Sequence, residues 1–144
     1  MLLSRQTEIF LLCAVATLAC HDSAAPAAVS GKFVLNDING RALPTYPAPT
    51  PGLTPTIVSN TLILYKDGTA QTTEHRVEWN GVDNTYTWQN TYTITGNQIK
   101  FAYHCPPNAD CIAPPHGTIL GNRLSLDVSG GSGAIIYNYL ASTD

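Results

Sequence analysis

Two cysteines and two histidines lie close together in the last third of the chain. Five residues separate Cys105 from Cys111, and His104 and His116 flank the pair. Such residues could bind zinc, but zinc sites with paired cysteines usually space them by about two to four residues. The N-terminus indicates export to an oxidising compartment, where cysteines close in sequence form a disulfide. We therefore expect a Cys105–Cys111 disulfide, no metal site, and histidines that are polar residues at the ends of the loop.

Two carboxylates, Glu74 and Glu78, share one face of a predicted strand with Arg76 between them. Paired carboxylates can act as general acid and base on a sugar. We interpret these three residues as an outward ladder of charges that screen one another, and His75 as part of an exposed polar strand. No Gly-x-Ser-x-Gly elbow accompanies a base, and residues 129–133 lack the lysine and helix of a phosphate-binding loop. The sequence predicts neither catalytic residues nor a cofactor, so we expect a protein that is not an enzyme.

Residues 1–19 have the three parts of a secretory signal. Arg5 supplies a positive charge, an apolar run starts at Ile9, and small and apolar residues precede Cys20. The run is too short for the roughly 20 residues of a membrane-spanning helix. Residues 1–19 are therefore expected to be removed as a signal peptide.

The four residues Thr17-Leu18-Ala19-Cys20 resemble the bacterial lipobox, in which the cysteine receives a diacylglyceryl group before cleavage. The resemblance implies lipidation at Cys20 and anchoring in a membrane of the cell envelope. By the sorting rules of enteric-type bacteria, His21 in place of aspartate after the cysteine favours the outer membrane. The rest of residues 20–30 is rich in alanine and serine and is expected to be a flexible tether.

The charge balance argues against nucleic acid as a partner. The chain has 7 Lys and Arg against 10 Asp and Glu, a net charge of −3. These charges form no basic cluster, so the electrostatic footprint of a nucleic-acid-binding protein is missing. Residues 31–144 are enough for one hydrophobic core and too few for two, which predicts a single domain.

The pattern of this domain is that of an all-β protein. Short β-branched and aromatic runs alternate with turn dipeptides such as Asp67-Gly68. Tight turns make successive strands antiparallel neighbours, and closing such a meander removes its exposed edges. We predict a small antiparallel up-and-down β-barrel of eight or nine strands, with an open β-sandwich as the alternative. The expected strands are 31–38, 41–43, 56–65, 69–79, 85–94, 98–103, 117–120, 123–128 and 134–140.

Several short motifs accompany this layout: Gly31-Lys32-Phe33, Ile38-Asn39-Gly40 followed by Leu43-Pro44, and Leu64-Tyr65-Lys66-Asp67-Gly68-Thr69. Together with the acylated cysteine and its tether, they resemble the small lipocalin-like lipoproteins of bacteria. The resemblance covers residues 31–140 in layout. It implies a barrel that encloses a ligand.

Aromatic residues concentrated in the strands leave two functions open. In the first, a membrane-anchored barrel binds a small hydrophobic molecule, with Trp88, Tyr92 and Phe101 as candidate lining residues. In the second, the aromatic side chains fill the barrel, because an eight-stranded barrel is just wide enough for them to pack. The domain is then a structural or interaction protein that meets an unknown envelope protein through its proline-rich loop, residues 44–55, or its cysteine loop.

Overall fold

The described part of the chain is entirely β-structure. The structure is a computed structural model that describes residues 29–47, 54–102, 113–129 and 134–143. These residues form nine strands and no helix: β1 (Gly31–Ile38), β2 (Arg41–Ala42), β3 (Thr56–Leu64), β4 (Thr69–Val77), β5 (Asp83–Thr95), β6 (Gln98–Ala102), β7 (His116–Leu120), β8 (Arg123–Asp127) and β9 (Ile136–Ala141). The predicted fold class is confirmed, and the strand ends lie within two residues of those expected.

The strands close into a barrel. Each is antiparallel to its neighbours, their order is β2-β1-β3-β4-β5-β6-β7-β8-β9, and β1 also pairs with β9. Eight strands therefore complete the circle, and the short β2 extends β1 from outside it. This confirms the small up-and-down barrel and excludes the open sandwich.

The Asp67-Gly68 turn between β3 and β4 forms the predicted hairpin. The Asp67 carboxylate accepts hydrogen bonds from the backbone nitrogen of Thr69 at 2.9 Å and from its hydroxyl at 2.6 Å. Gly68 has a φ of +83°, in the left-handed region that favours glycine. The turn is thus fixed by the two residue types from which the sequence predicts it.

The two ends of the barrel are built differently. One end, here called the closed end, carries the tight turns at residues 65–68, 96–97 and 121–122. The opposite end, here called the loop end, carries the β4–β5 turn at residues 78–82, and β6 and β8 also end there. All the long connections between strands leave from the loop end.

Apolar side chains line the interior of the barrel along its length. The buried core is formed by Phe33, Leu35, Ile38, Ile57, Leu62, Leu64, Ala70, Tyr92, Ile99, Phe101, Ile119, Leu124, Leu126, Tyr137 and Tyr139. Tyr92 lies at the closed end, where its hydroxyl is 2.8 Å from the carbonyl oxygen of Val29 and 2.7 Å from that of Tyr65. This hydroxyl ties the start of the domain to the β3–β4 turn.

A β-bulge in β3 decides which of its side chains point inward. The register against β4 shifts between Ile57 and Ser59, so Ile57 and Asn60 both become buried although they are three residues apart. One extra residue in a strand reverses the inward and outward faces beyond it. Because of the bulge, Ile57 points into the core, and Asn60 also points inward, on the same face of β3 as Leu62 and Leu64.

Candidate functional site

A cavity of about 590 Å³ occupies the loop-end half of the barrel. Its walls come from β3, β4, β5, β6, β8 and β9, from Pro115 just before β7 and from Val128 just after β8. They consist of Asn60, Leu62, Thr72, Glu74, Arg76, Trp88, Asn90, Phe101, Pro115, Leu126, Val128, Tyr137 and Tyr139. This volume is within the range of about 300–1,000 Å³ typical of small-molecule sites.

Small inward side chains help to leave part of the interior unfilled. Inward positions near the closed end carry large residues, such as Leu64, Tyr92 and Ile99. On the inward faces of β3, β4 and β5, the cavity wall includes the smaller side chains of Asn60, Thr72 and Asn90. Because an eight-stranded barrel is only just filled by large side chains, these smaller ones leave space for one small ligand.

Aromatic rings form much of the cavity wall. Phe101 is 6% exposed, and Trp88 is 39% exposed although it points to the same interior. The rings of Tyr137 and Tyr139 are neighbours on β9, with centroids 6.4 Å apart. A planar apolar molecule that enters from the loop end would meet ring surfaces on two sides of the cavity.

A chain of hydrogen bonds forms the polar part of the cavity. The Tyr139 hydroxyl donates to Oδ1 of Asn60 at 3.1 Å, and Nδ2 of Asn60 donates to Oε2 of Glu74 at 2.9 Å. The other carboxylate oxygen of Glu74 is 3.5 Å from Nη1 of Arg76. Glu74 is only 5% exposed, so a carboxylate is buried in the cavity wall with one short and one long hydrogen bond.

The series of hydrogen bonds continues through Arg76 to the rim of the cavity. Its Nε donates to Oε1 of Glu78 at 2.9 Å, and the Tyr86 hydroxyl donates to the same oxygen at 2.8 Å. The Arg76 guanidinium also lies 4.1 Å above the centre of the Tyr86 ring, in cation–π geometry. These contacts hold the cation at the rim and direct its shortest hydrogen bond toward Glu78, away from Glu74.

The two carboxylates differ in their acidity. Burial raises the pKa of Glu74 above its ordinary value, and the hydrogen bond from Asn60 and the charge of Arg76 offset that effect only in part. The hydrogen bond from Tyr86, aided by Arg76, lowers the pKa of Glu78. Burial raises the pKa of Tyr137 and Tyr139, so both phenols stay protonated near neutral pH. Glu78 is thus the firmly ionised partner of Arg76.

Two of the three predicted lining residues are in the cavity wall. Trp88 and Phe101 face the cavity, whereas Tyr92 lies at the closed end and is not part of the wall. Tyr92 still contacts Phe101, with ring centroids 6.2 Å apart. The structure therefore assigns Tyr92 to the floor of the barrel, below the space that a ligand could occupy.

The interpretation of Glu74, Arg76 and Glu78 as an outward ladder is wrong for its first two members. Glu74 and Arg76 line the interior. The register gives the signal that could have shown this, because Glu74 is directly opposite Tyr86 and Thr72 is opposite Trp88. Residues directly opposite in an antiparallel pair share a face. Once Trp88 is placed inward, Glu74 must point inward too.

His75 is on the outer face of β4, as expected. Its Nε2 forms a hydrogen-bonded pair with the Asp83 carboxylate on the neighbouring strand, and both side chains are partly exposed. Trp79 also differs from the cavity aromatics, because it lies in the β4–β5 turn and is 73% exposed. The outer face and the turn therefore do not contribute to the cavity.

The predicted lipidation site, Cys20, and the predicted Cys105–Cys111 disulfide lie outside the described residues, as does His104. His116 is described and is exposed at the start of β7. Within the described ranges, no three His, Cys, Asp or Glu side chains are grouped in a way that could hold a metal ion. The same ranges contain no helix long and apolar enough to span a membrane.

Comparison with protein-family models, curated proteins and solved structures finds no match to this chain. The class of protein is defined by the architecture itself: a small, closed up-and-down β-barrel with an interior cavity at one end. The resemblance to lipocalin-like lipoproteins depends on the sequence motifs and stays a prediction.

Proposed function

We propose that this protein binds one small, largely apolar molecule inside the barrel. The observation that carries the proposal is the cavity of about 590 Å³, walled by Trp88, Phe101, Tyr137 and Tyr139. Pockets for small molecules combine a mainly apolar wall with a few fixed polar groups. The chain from Tyr139 through Asn60 to Glu74 supplies such groups.

The cavity also bears on the alternative of a solid structural barrel. In that alternative the aromatic side chains fill the interior, and only the loops act. Here the aromatic rings surround a space and leave it open, which favours binding over a purely structural role.

Binding without catalysis is the form of the proposal that the side chains support. Glu78 is held by Arg76 and Tyr86 at the rim, and Glu74 is held by Asn60. A general acid and base must both reach the reacting atoms of one substrate. These two carboxylates lie on either side of Arg76, each is hydrogen-bonded to a different neighbour, and of the two only Glu74 lines the cavity.

The proposed setting is the cell envelope, where the exported barrel is tethered to the outer membrane by a lipid on Cys20. Mass spectrometry of the protein extracted from its host's membranes tests this. An acylated chain beginning at Cys20 and lacking two hydrogens supports the anchor and the Cys105–Cys111 disulfide. A chain that begins elsewhere without acylation would contradict the anchor.

A fluorescent apolar probe tests ligand binding directly. Phenylnaphthylamine becomes bright on entering an apolar site, and we expect it to bind with one-to-one stoichiometry. Trp88→Ala removes part of the cavity wall and should weaken this binding about tenfold, because an aromatic contact worth about 1.4 kcal/mol changes the dissociation constant tenfold. Trp79→Ala is the matched control, since Trp79 is 73% exposed outside the cavity. Equal affinity of the two variants, or no binding to the wild type, would contradict the proposal.

A further inference from the structure

The charges around the cavity do not balance. Of the described residues in its wall, Glu74 is the carboxylate and Arg76 is the cation. Arg76, however, is shared with Glu78, whose oxygen is 2.9 Å from its Nε, whereas Glu74 is 3.5 Å from its Nη1. Glu74 and Glu78 thus both interact with the guanidinium of Arg76, and Glu74, the more buried of the two, has the longer contact.

Glu74 has spare capacity to accept hydrogen bonds. A carboxylate offers about four acceptor sites, and the described contacts of Glu74 are those with Asn60 and Arg76. Burying a charge is costly unless it is paired and hydrogen-bonded. A donor with positive charge on the ligand would complete the environment of Glu74, whereas an anionic group would add repulsion at the same place.

The aromatic wall suits the same kind of group. Ring faces attract ammonium groups, and Trp is the strongest of the aromatic residues in this respect. Trp88 and Tyr137 are cavity residues, as is Glu74. The one guanidinium in the described wall, that of Arg76, is stacked on Tyr86 and lies closer to Glu78 than to Glu74.

We propose that the ligand is an amphipathic amine, whose protonated nitrogen pairs with the Glu74 carboxylate while its apolar body packs between Trp88, Phe101 and Tyr137. This inference rests on the proposed ligand-binding function and adds the chemical class of the ligand. Asn60 acts as a positioning residue, because its amide fixes the carboxylate at 2.9 Å and leaves the other oxygen toward Arg76.

Three probes with one aromatic body test the inference by calorimetry on the purified protein: naphthylethylamine, naphthylethanol and naphthylpropionic acid. Near neutral pH these carry a positive charge, no charge and a negative charge. We expect the amine to bind about tenfold more tightly than the alcohol, since a charge-assisted hydrogen bond is worth more than a neutral one. The acid should bind most weakly.

Two variants assign the preference to Glu74. Glu74→Gln should bring the ratio of the amine affinity to the alcohol affinity close to one, while a cooperative urea denaturation transition reports that the barrel is folded. Asp83→Asn removes the same charge from the outer face, where Asp83 pairs with His75, and should leave all three affinities as they are. A preference that persists in Glu74→Gln would overturn the assignment.

The wild-type protein gives a second measurement that needs no variant. On acidification, protonation of Glu74 should reduce the affinity for the amine and leave that for the alcohol unchanged. The other groups that face Glu74 hold their charge state in this range: Arg76 stays cationic, Glu78 ionises more readily than Glu74, and Tyr137 and Tyr139 stay neutral. A pH-independent ratio of the two affinities would contradict the inference.

The outcomes separate the two proposals. Equal binding of amine and alcohol, or tightest binding of the acid, overturns the amine inference and leaves the ligand-binding function standing. Failure of all three probes and of phenylnaphthylamine to bind overturns both.

Discussion

Asn60 and Glu74 are directly opposite each other on β3 and β4, and the amide of Asn60 donates to the carboxylate of Glu74 at 2.9 Å. Both side chains are buried, and the same amide group accepts from Tyr139 on β9. The side chain of Asn60 on β3 therefore links β4 and β9 inside the barrel. Its geometry places the one strongly buried carboxylate of the described residues at the cavity wall.

Asn60→Ala should be strongly destabilising. It leaves a buried carboxylate and a buried hydroxyl without their partner, and each such loss costs about 1–3 kcal/mol. We expect the free energy of unfolding, measured by urea denaturation, to fall by about 2–4 kcal/mol. Ser59→Ala, at the exposed neighbouring position, should change it by less than about 0.5 kcal/mol.

A double variant tests the cause. In a Glu74→Gln background the group left unpaired is neutral, so Asn60→Ala should cost less than it does in the wild type. An identical cost in both backgrounds would mean that the Asn60–Glu74 hydrogen bond is not what stabilises this position.

Gly117→Ala should disrupt the pairing of β7 with β8. A Cβ at this position would lie 1.8 Å from the carbonyl oxygen of Ser125 and 2.9 Å from Cα of Leu126, both backbone atoms of β8. Backbone cannot rotate away as a side chain does, so we expect a loss of more than about 2 kcal/mol in unfolding free energy. Thr118→Ala, next along the strand, should cost no more than about 1 kcal/mol. Equal stability of the two variants would show that β7 and β8 are not so close.

Local sequence rules were enough to predict the barrel but only part of the site. Alternation in β5 places Trp88 and Tyr92 on one face, and the turn residues Asp67 and Gly68 define a hairpin. Alternation gives the face of a sheet and contains no information on the position along the barrel axis. Trp88 and Tyr92 therefore share a face but lie in the cavity wall and at the closed end, respectively.

The polar half of the site was missed for a different reason. A strand that carries Glu74 and Arg76 is expected to turn these charges toward water, because unpaired buried charges are costly. Here Asn60, from another strand, and Glu78, at the rim, provide the hydrogen bonds that make burial possible. That compensation depends on the register of β3 against β4, including its bulge, which local patterns do not reveal.

Tyr92→Phe should separate stability from binding. It removes the hydroxyl that lies within hydrogen-bond distance of the carbonyls of Val29 and Tyr65, at a cost of about 1 kcal/mol in unfolding free energy. Because Tyr92 is below the cavity, the affinity for phenylnaphthylamine should not change. Tyr65→Phe, which alters an exposed ring, should affect neither quantity. A marked loss of probe affinity in Tyr92→Phe would show that Tyr92 is part of the ligand site.

The pH dependence of stability should reveal the buried carboxylate. Because burial raises the folded-state pKa of Glu74 above its ordinary value of 4.5, the folded protein holds this proton more tightly than the unfolded chain. The resulting stabilisation is fully present below the ordinary pKa and is lost as the pH rises through the raised one. At neutral pH, ionised Glu74 therefore contributes less stability than its protonated form would.

Glu74→Gln, which mimics the protonated acid, isolates this effect from the other carboxylates. Asp37, Asp67, Glu78 and Asp127 have lowered pKa values, so they lose stabilisation on acidification in both proteins alike. At neutral pH the wild type should therefore be less stable than the variant. As the pH falls toward the ordinary pKa of a glutamate, the difference in their free energies of unfolding, measured by denaturation, should shrink. A wild-type stability that falls relative to Glu74→Gln over this range would mean that Glu74 is stabilised as the anion, and that Arg76 and Asn60 outweigh its burial.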